Sequence, residues 1–143
     1  MVLLQHRARA SRSAVEQDPR SHADRTHTVY VIDDDASVRR SLERLLRSRG
    51  HAVRSFASAE EFLAQIDATV QGCLLVDVNL EGIQGPELQS LLTNARWPLP
   101  IIAMSGSRDR QTERAALREG ARAFLRKPFD ATALLEALAI ARA

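Results

Sequence analysis

From residue 28 onward, short uninterrupted apolar runs alternate with longer stretches whose apolar residues recur at helical spacing, and this alternation leaves few folds open. Segments 28–32, 52–56, 73–76, 99–104 and 123–125 read as strands. Most are too continuously apolar to expose one face to water, which points to a sheet covered on both sides. Between them, Val38, Leu42, Leu45 and Leu46 recur at i, i+4, i+7 and i+8, and Leu88, Leu91, Leu92 and Ala95 at i, i+3, i+4 and i+7. Ala131, Leu134, Leu135 and Leu138 repeat the second pattern. These are helical stripes. Their ends agree: Ser58 with Glu61 forms a capping-box pattern, Asp130 can cap the last helix, and Pro86 suits a first turn. Gly50 and Gly120 stand where helix C-termini take a left-handed residue. Five strands alternating with five helices over this span imply an α/β fold with a doubly wound parallel sheet, because short right-handed crossovers leave little else.

At 143 residues the chain has the length of one domain. Residues 1–28 lack sustained apolar periodicity, apart from Val2, Leu3 and Leu4, and read as a disordered Arg-rich tail. Glu16, Asp18 and Asp24 interrupt its five Arg, which weighs against a nucleic-acid arm, and the absence of a long apolar core weighs against a targeting peptide. The tail carries the whole positive excess, so the domain over 29–143 is electrically balanced and offers no clustered basic surface for direct nucleic-acid binding. The lone Cys73 cannot form an internal disulfide, and no apolar run nears the roughly 20 residues of a membrane span. A cytoplasmic protein with no membrane partner is expected. Lys127 is the only lysine among twenty Lys and Arg, which suggests a position that needs a compact ammonium rather than a planar fork.

The chemistry is concentrated just after the strands. Ile32 runs into Asp33, Asp34 and Asp35, Val76 into Asp77, Met104 into Ser105, and Arg126 into Lys127 and Pro128. In a parallel sheet the carboxyl ends of all strands share one edge, and ligands bind there where the strand order reverses. With the order 2-1-3-4-5, deduced from the fold type, Asp77 lies between the Asp33–Asp34 pair and Ser105, with Lys127 one strand further out. Carboxylates so close repel and need a cation. An all-oxygen set with positions left for water suits Mg²⁺. With charge neutralised by the metal and Lys127, and a hydroxyl supplied by Ser105, Asp77 can act as a carboxylate nucleophile toward phosphorus.

The pieces VYVIDDDASVRRSL, SAEEFL, LLVDVNLEGIQG, IIAMSG and FLRKPF, spread over residues 29–143, resemble a response-regulator receiver domain of two-component signalling, in a nitrogen-fixation-regulator-like subfamily. The resemblance implies the flavodoxin-like five-stranded receiver fold, order 2-1-3-4-5. It implies Asp77 as phosphoacceptor, with Mg²⁺ held by Asp34 directly, Asp33 through water, Asp77, and the backbone carbonyl of Asn79. Ser105 and Lys127 would hold the phosphoryl oxygens. Phe124 would be the aromatic switch residue that turns inward as the Ser105 hydroxyl moves toward phosphate. Pro128 would follow a cis peptide bond. Two departures stand out: Glu81 replaces a frequent proline, loosening the loop after Asp77, and Ser replaces the commoner Thr at 105.

Several residues also have plainer readings. Asp35 immediately precedes a helix and reads as its N-cap rather than a third metal carboxylate. Ser105 alone is a turn residue, Lys127 a solvated cation, Asn79 a turn former and Phe124 a core aromatic. Cys73 reads as a buried thiol, Trp97 as a loop aromatic, and His6, His22, His27 and His51 lack ligand spacing for zinc.

The function expected is a phosphorylation-controlled regulatory domain, not an enzyme, that receives a phosphoryl group from a sensor histidine kinase or a phosphotransfer protein. It would pass the signal to a downstream protein target, with a homodimer on phosphorylation as one output. The last helix ends at the C-terminus, so a stand-alone receiver or an excised domain is expected. One alternative is a haloacid-dehalogenase-like phosphatase with Asp33 as nucleophile and a D-x-D spacing to Asp35. Only Asp130 follows Lys127 to complete its metal site, and the chain leaves no room for a substrate-covering cap. Ester turnover abolished by Asp33→Asn but not by Asp77→Asn would mark it. The other alternative is a receiver-like scaffold that works without phosphorylation.

Overall fold

A computed structural model describes residues 28–66, 71–97 and 99–142. The tail expected over residues 1–28 therefore lies, except for Thr28, outside the described residues. The elements run β1 (Thr28–Ile32), α1 (Ala36–Ser48), β2 (Val53–Phe56), α2 (Ala59–Gln65), β3 (Gly72–Asp77), α3 (Gly85–Asn94), β4 (Ile101–Ser105), α4 (Arg110–Arg118), β5 (Ala123–Arg126) and α5 (Ala131–Arg142). All strand pairs are parallel and the sheet order is β2-β1-β3-β4-β5, as expected.

Alternate residues along each strand supply two cores. Tyr30, Ile32, Leu74, Val76, Ile101 and Ala103 pack with Phe62 of α2, Leu88 and Leu92 of α3 and Ala116 of α4. Val29, Val31, Cys73, Leu75, Ile102 and Met104 pack with Leu42 and Leu46 of α1 and Leu134 and Leu138 of α5. Burial on both faces explains why the strands read as continuous apolar runs.

The caps act as anticipated, with one difference of detail. Asp35 accepts the N–H groups of Ser37 and Val38, Asp130 accepts that of Ala133, and Gly50 and Gly120 have positive φ. Ser58 accepts the Glu61 N–H, but the Glu61 carboxylate takes the N–H of Ala57, one residue earlier than a capping box requires. Strand β4 begins two residues later than expected. Pro100 has no N–H to add to the ladder, and it joins only as an acceptor, from Leu74 N–H at 2.9 Å. Trp97, read as a loop aromatic, is buried and stacked on Phe62, with ring centroids 5.5 Å apart.

Candidate functional site

Four strands deliver the site to one edge of the sheet. Asp33 directly follows β1, Asp77 is the last residue of β3, and Ser105 is the last of β4. The register pairs Ile32 with Val76, Asp77 with Met104, and Ser105 with Arg126. The carboxyl ends of β1, β3, β4 and β5 are thus aligned, and Lys127 follows β5 at the same level.

Lys127 joins the two central carboxylates. Its Nζ donates to Asp33 Oδ2 at 2.7 Å and to Asp77 Oδ2 at 3.2 Å. Asp33 is fully buried, Asp77 is buried, and Lys127 is 23% exposed. Burial alone lowers the ammonium's proton affinity, but the hydrogen bond it donates to Asp33 and the charges of Asp77 and Asp33 outweigh it and hold the Lys127 pKa above its usual value. The second oxygen of each carboxylate takes a backbone donor: Asp33 Oδ1 accepts Asp35 N–H at 2.9 Å, and Asp77 Oδ1 accepts Asn79 N–H at 2.9 Å. Asp34 is exposed beside them, and one oxygen from each of Asp33, Asp34 and Asp77 lies within 4.8 Å of the others. Hard oxygen donors with one open, exposed member fit a hydrated Mg²⁺.

The remaining expected residues lie on the same strands and the loops that follow them. The Ser105 side chain is buried and its Oγ accepts Ser107 N–H at 3.0 Å; its carbonyl accepts Lys127 N–H at 2.8 Å. Asn79 meets Asp77 through its N–H. Phe124 is half-buried on β5 against the first core. The Lys127–Pro128 peptide is cis. Asp35 stays outside the cluster as a helix cap; its carboxyl lies below the usual range because it accepts the N–H groups of Ser37 and Val38.

Supporting residues passed unnoticed in the sequence. Arg39 of α1 donates to the Asp33 carbonyl at 2.7 Å and fixes the turn after β1. Glu60 of α2 accepts Ile83 N–H at 3.1 Å, tethering the loop after Asp77 where Glu81 stands in place of proline. Gly82 makes the approach possible: its φ is +74°, and a Cβ there would lie 2.4 Å from Glu60 Oε2. Each tether ends on a backbone group, which has no sequence signature.

A parallel five-stranded sheet with this acidic cluster and lysine at its carboxyl edge is the architecture of a receiver. The chain belongs to the response regulator receiver domain family, whose profile matches residues 29–139. It is 41% identical over 111 residues to the transcriptional regulatory protein TdiR of Thauera aromatica, covering 78% of this chain and 49% of that one. It is 40% identical over 111 residues to the transcriptional regulatory protein FixJ of Bradyrhizobium diazoefficiens, covering 76% and 54% respectively. Among solved structures, FixJ-N superposes with a TM-score of 0.75 at 35% identity, covering 80% of this chain and 92% of that one. The chain thus spans about half the length of the curated relatives it matches. Its place among FixJ- and TdiR-like regulators agrees with the subfamily that the sequence motifs suggested. Among the described residues no helix is long and apolar enough to cross a membrane.

Proposed function

We propose that the domain over 29–143 is a phosphoacceptor that receives a phosphoryl group on Asp77 from a histidine kinase or phosphotransfer protein in the cytoplasm, and thereby switches a protein-binding surface. The observation that carries this is the bridge from Lys127 Nζ to both Asp33 and Asp77 at the carboxyl edge of the sheet. An Asp77 carboxylate oxygen attacks phosphorus in line with the P–N bond of a phosphohistidine. The new P–O bond forms as the P–N bond breaks, and the electron pair returns to the imidazole nitrogen, which takes up a proton.

Asp33, Asp34, Asp77 and the Asn79 carbonyl would hold Mg²⁺. The bound cation supplies charge neutralisation to the phosphoryl oxygens. Lys127 shifts its ammonium from Asp77 to an incoming phosphoryl oxygen, and the Ser105 hydroxyl donates to another. The acyl phosphate, carrying nearly −2 where the free carboxylate carried −1, then favours the conformer in which Ser105 and the loop behind it close on it, with Phe124 turning inward. Moving such a switch from mostly off to mostly on takes about 5.5 kcal/mol of differential stabilisation.

Intact-mass measurement after incubation with acetyl phosphate and Mg²⁺ tests the reading. The wild type should gain the mass of one phosphoryl group and Asp77→Asn none. An unmodified wild type, or equal modification of Asp77→Asn, refutes it.

A further inference from the structure

We propose that Arg126 is a positioning residue for the switch: a latch that holds the loop after β4 in the arrangement seen here, against which phosphoryl uptake at Asp77 must work. The inference rests on the phosphoacceptor reading above and assigns that site a regulator of its own.

Arg126 is the last residue of β5, beside Lys127, and its guanidinium makes three different contacts at once. Nη1 donates to the carbonyl of Ser107. Nη2 is 3.1 Å from Glu113 Oε1 on α4. The guanidinium carbon lies 5.4 Å from the ring centroid of Phe124 and over that ring. Loop, helix and aromatic are thereby tied to one side chain that is itself anchored in the sheet.

The loop contact is the consequential one, because the two backbone groups of Ser107 look both ways. Its N–H is donated to Ser105 Oγ at 3.0 Å, and its carbonyl is held by Arg126. Displacing Ser105 Oγ toward a phosphoryl group on Asp77 pulls on Ser107, and Ser107 is restrained by an arginine also fastened to Glu113. Phe124 cannot turn inward without leaving the guanidinium face. The contacts are therefore arranged so that both movements of the switch strain the same side chain. Only a planar fork can serve all three partners together, so Lys at this position reproduces the charge but not the latch.

The test is calorimetric titration with beryllofluoride, a tetrahedral phosphoryl mimic, at saturating Mg²⁺, on wild type, Arg126→Ala, Arg126→Lys and Glu113→Gln. Arg126→Ala should bind about fivefold more tightly than wild type, the lower end of ordinary allosteric coupling. Arg126→Lys should stay close to Arg126→Ala. Glu113→Gln, on a side chain 43% exposed and so tolerant of change, should shift affinity the same way by less, and the double variant should fall short of the sum. Mg²⁺ affinity without beryllofluoride should not move, since Arg126 touches none of the three carboxylates. Unchanged or weaker beryllofluoride affinity in both Arg126→Ala and Glu113→Gln overturns the latch. A wild type that takes neither acetyl phosphate nor beryllofluoride overturns the phosphoacceptor reading instead.

Discussion

Lys127 keeps two neighbouring carboxylates tolerable in a site where one of them, Asp33, has no exposed surface. In Lys127→Ala that charge loses its cation. The expected loss is about 2 kcal/mol, less than the ~3–5 of a fully buried pair, because the ammonium is partly solvated. Urea unfolding in the presence of a chelator measures it, and an unchanged midpoint would mean the three groups are solvated separately. The raised Lys127 pKa sets the pH window: its contribution is complete below the ordinary value of 10.5 and fades as pH rises through the higher folded value. Cys73 weakens the fold in the same direction of pH but for a different reason, since burial favours its neutral form rather than a charged one. Burial pushes its thiol from 9.0 up to about 12, so above pH 9 the unfolded chain loses a proton that the folded chain keeps. Wild-type stability should fall relative to Cys73→Ala across that window, with a slope approaching about 1.4 kcal/mol per pH unit. Paired unfolding curves at stepped pH check this, and parallel curves refute it. Single residues also mark where sequence reading stops. Asp33, Asp77, Ser105 and Lys127 could be found because each ends a recognisable strand. Arg39, Glu60 and Arg126 lie on polar faces where a solvated charge is the ordinary reading, and backbone partners leave no pattern to match.

At the scale of the elements, strands were legible because both faces are buried, whereas the facing of one helix was not. The stripe of Leu88, Leu91, Leu92 and Ala95 predicts four buried positions along α3 and its C-cap, and Ala95, the cap, is exposed. Leu88 and Leu92 are buried, but Leu91 is 45% exposed and Gln89 is buried in its place. The helix is turned because the Gln89 amide donates to the carbonyl of Glu119, one of the acceptors that the end of α4 leaves unpaired. A hydrophobic period cannot anticipate a polar side chain drawn inward by another helix's terminus. The short helix α2 shows the reverse case, a seven-residue element held by one aromatic. Phe62 is fully buried, meets Tyr30 and Phe56 edge-on and stacks on Trp97. Phe62→Ala should cost about 3–5 kcal/mol, and the emission of Trp97, the sole tryptophan, should report the loosened packing. Ser58→Ala, which removes only the cap from the same helix, should cost about 1 kcal/mol. Equal losses would show that the helix is held by its end rather than by its face.

For the whole molecule, the strand order brings to one edge groups that are 94 residues apart in sequence, as in the Lys127–Asp33 pair. The alternation of elements made that convergence readable before any coordinates, since carboxyl ends of parallel strands must share an edge. Distances were not readable, because side-chain reach depends on the turn each strand makes as it leaves the sheet. A cation bound there would fasten the ends of β1 and β3 together and so stabilise the entire fold rather than one loop. Mg²⁺ at 100 times its dissociation constant should raise stability by about 2.7 kcal/mol, read as a rise in Tm that a chelator reverses. Asp34→Asn should abolish most of that rise while leaving the metal-free Tm nearly unchanged, since Asp34 is exposed. Asp33→Asn should abolish it too but also alter the metal-free protein, because Lys127 loses its nearer partner. Cys73→Ala, in the opposite core, should keep the full Mg²⁺ response from a lower starting point. A rise that survives Asp34→Asn and Asp33→Asn alike would place the cation elsewhere and detach the metal from this edge of the sheet.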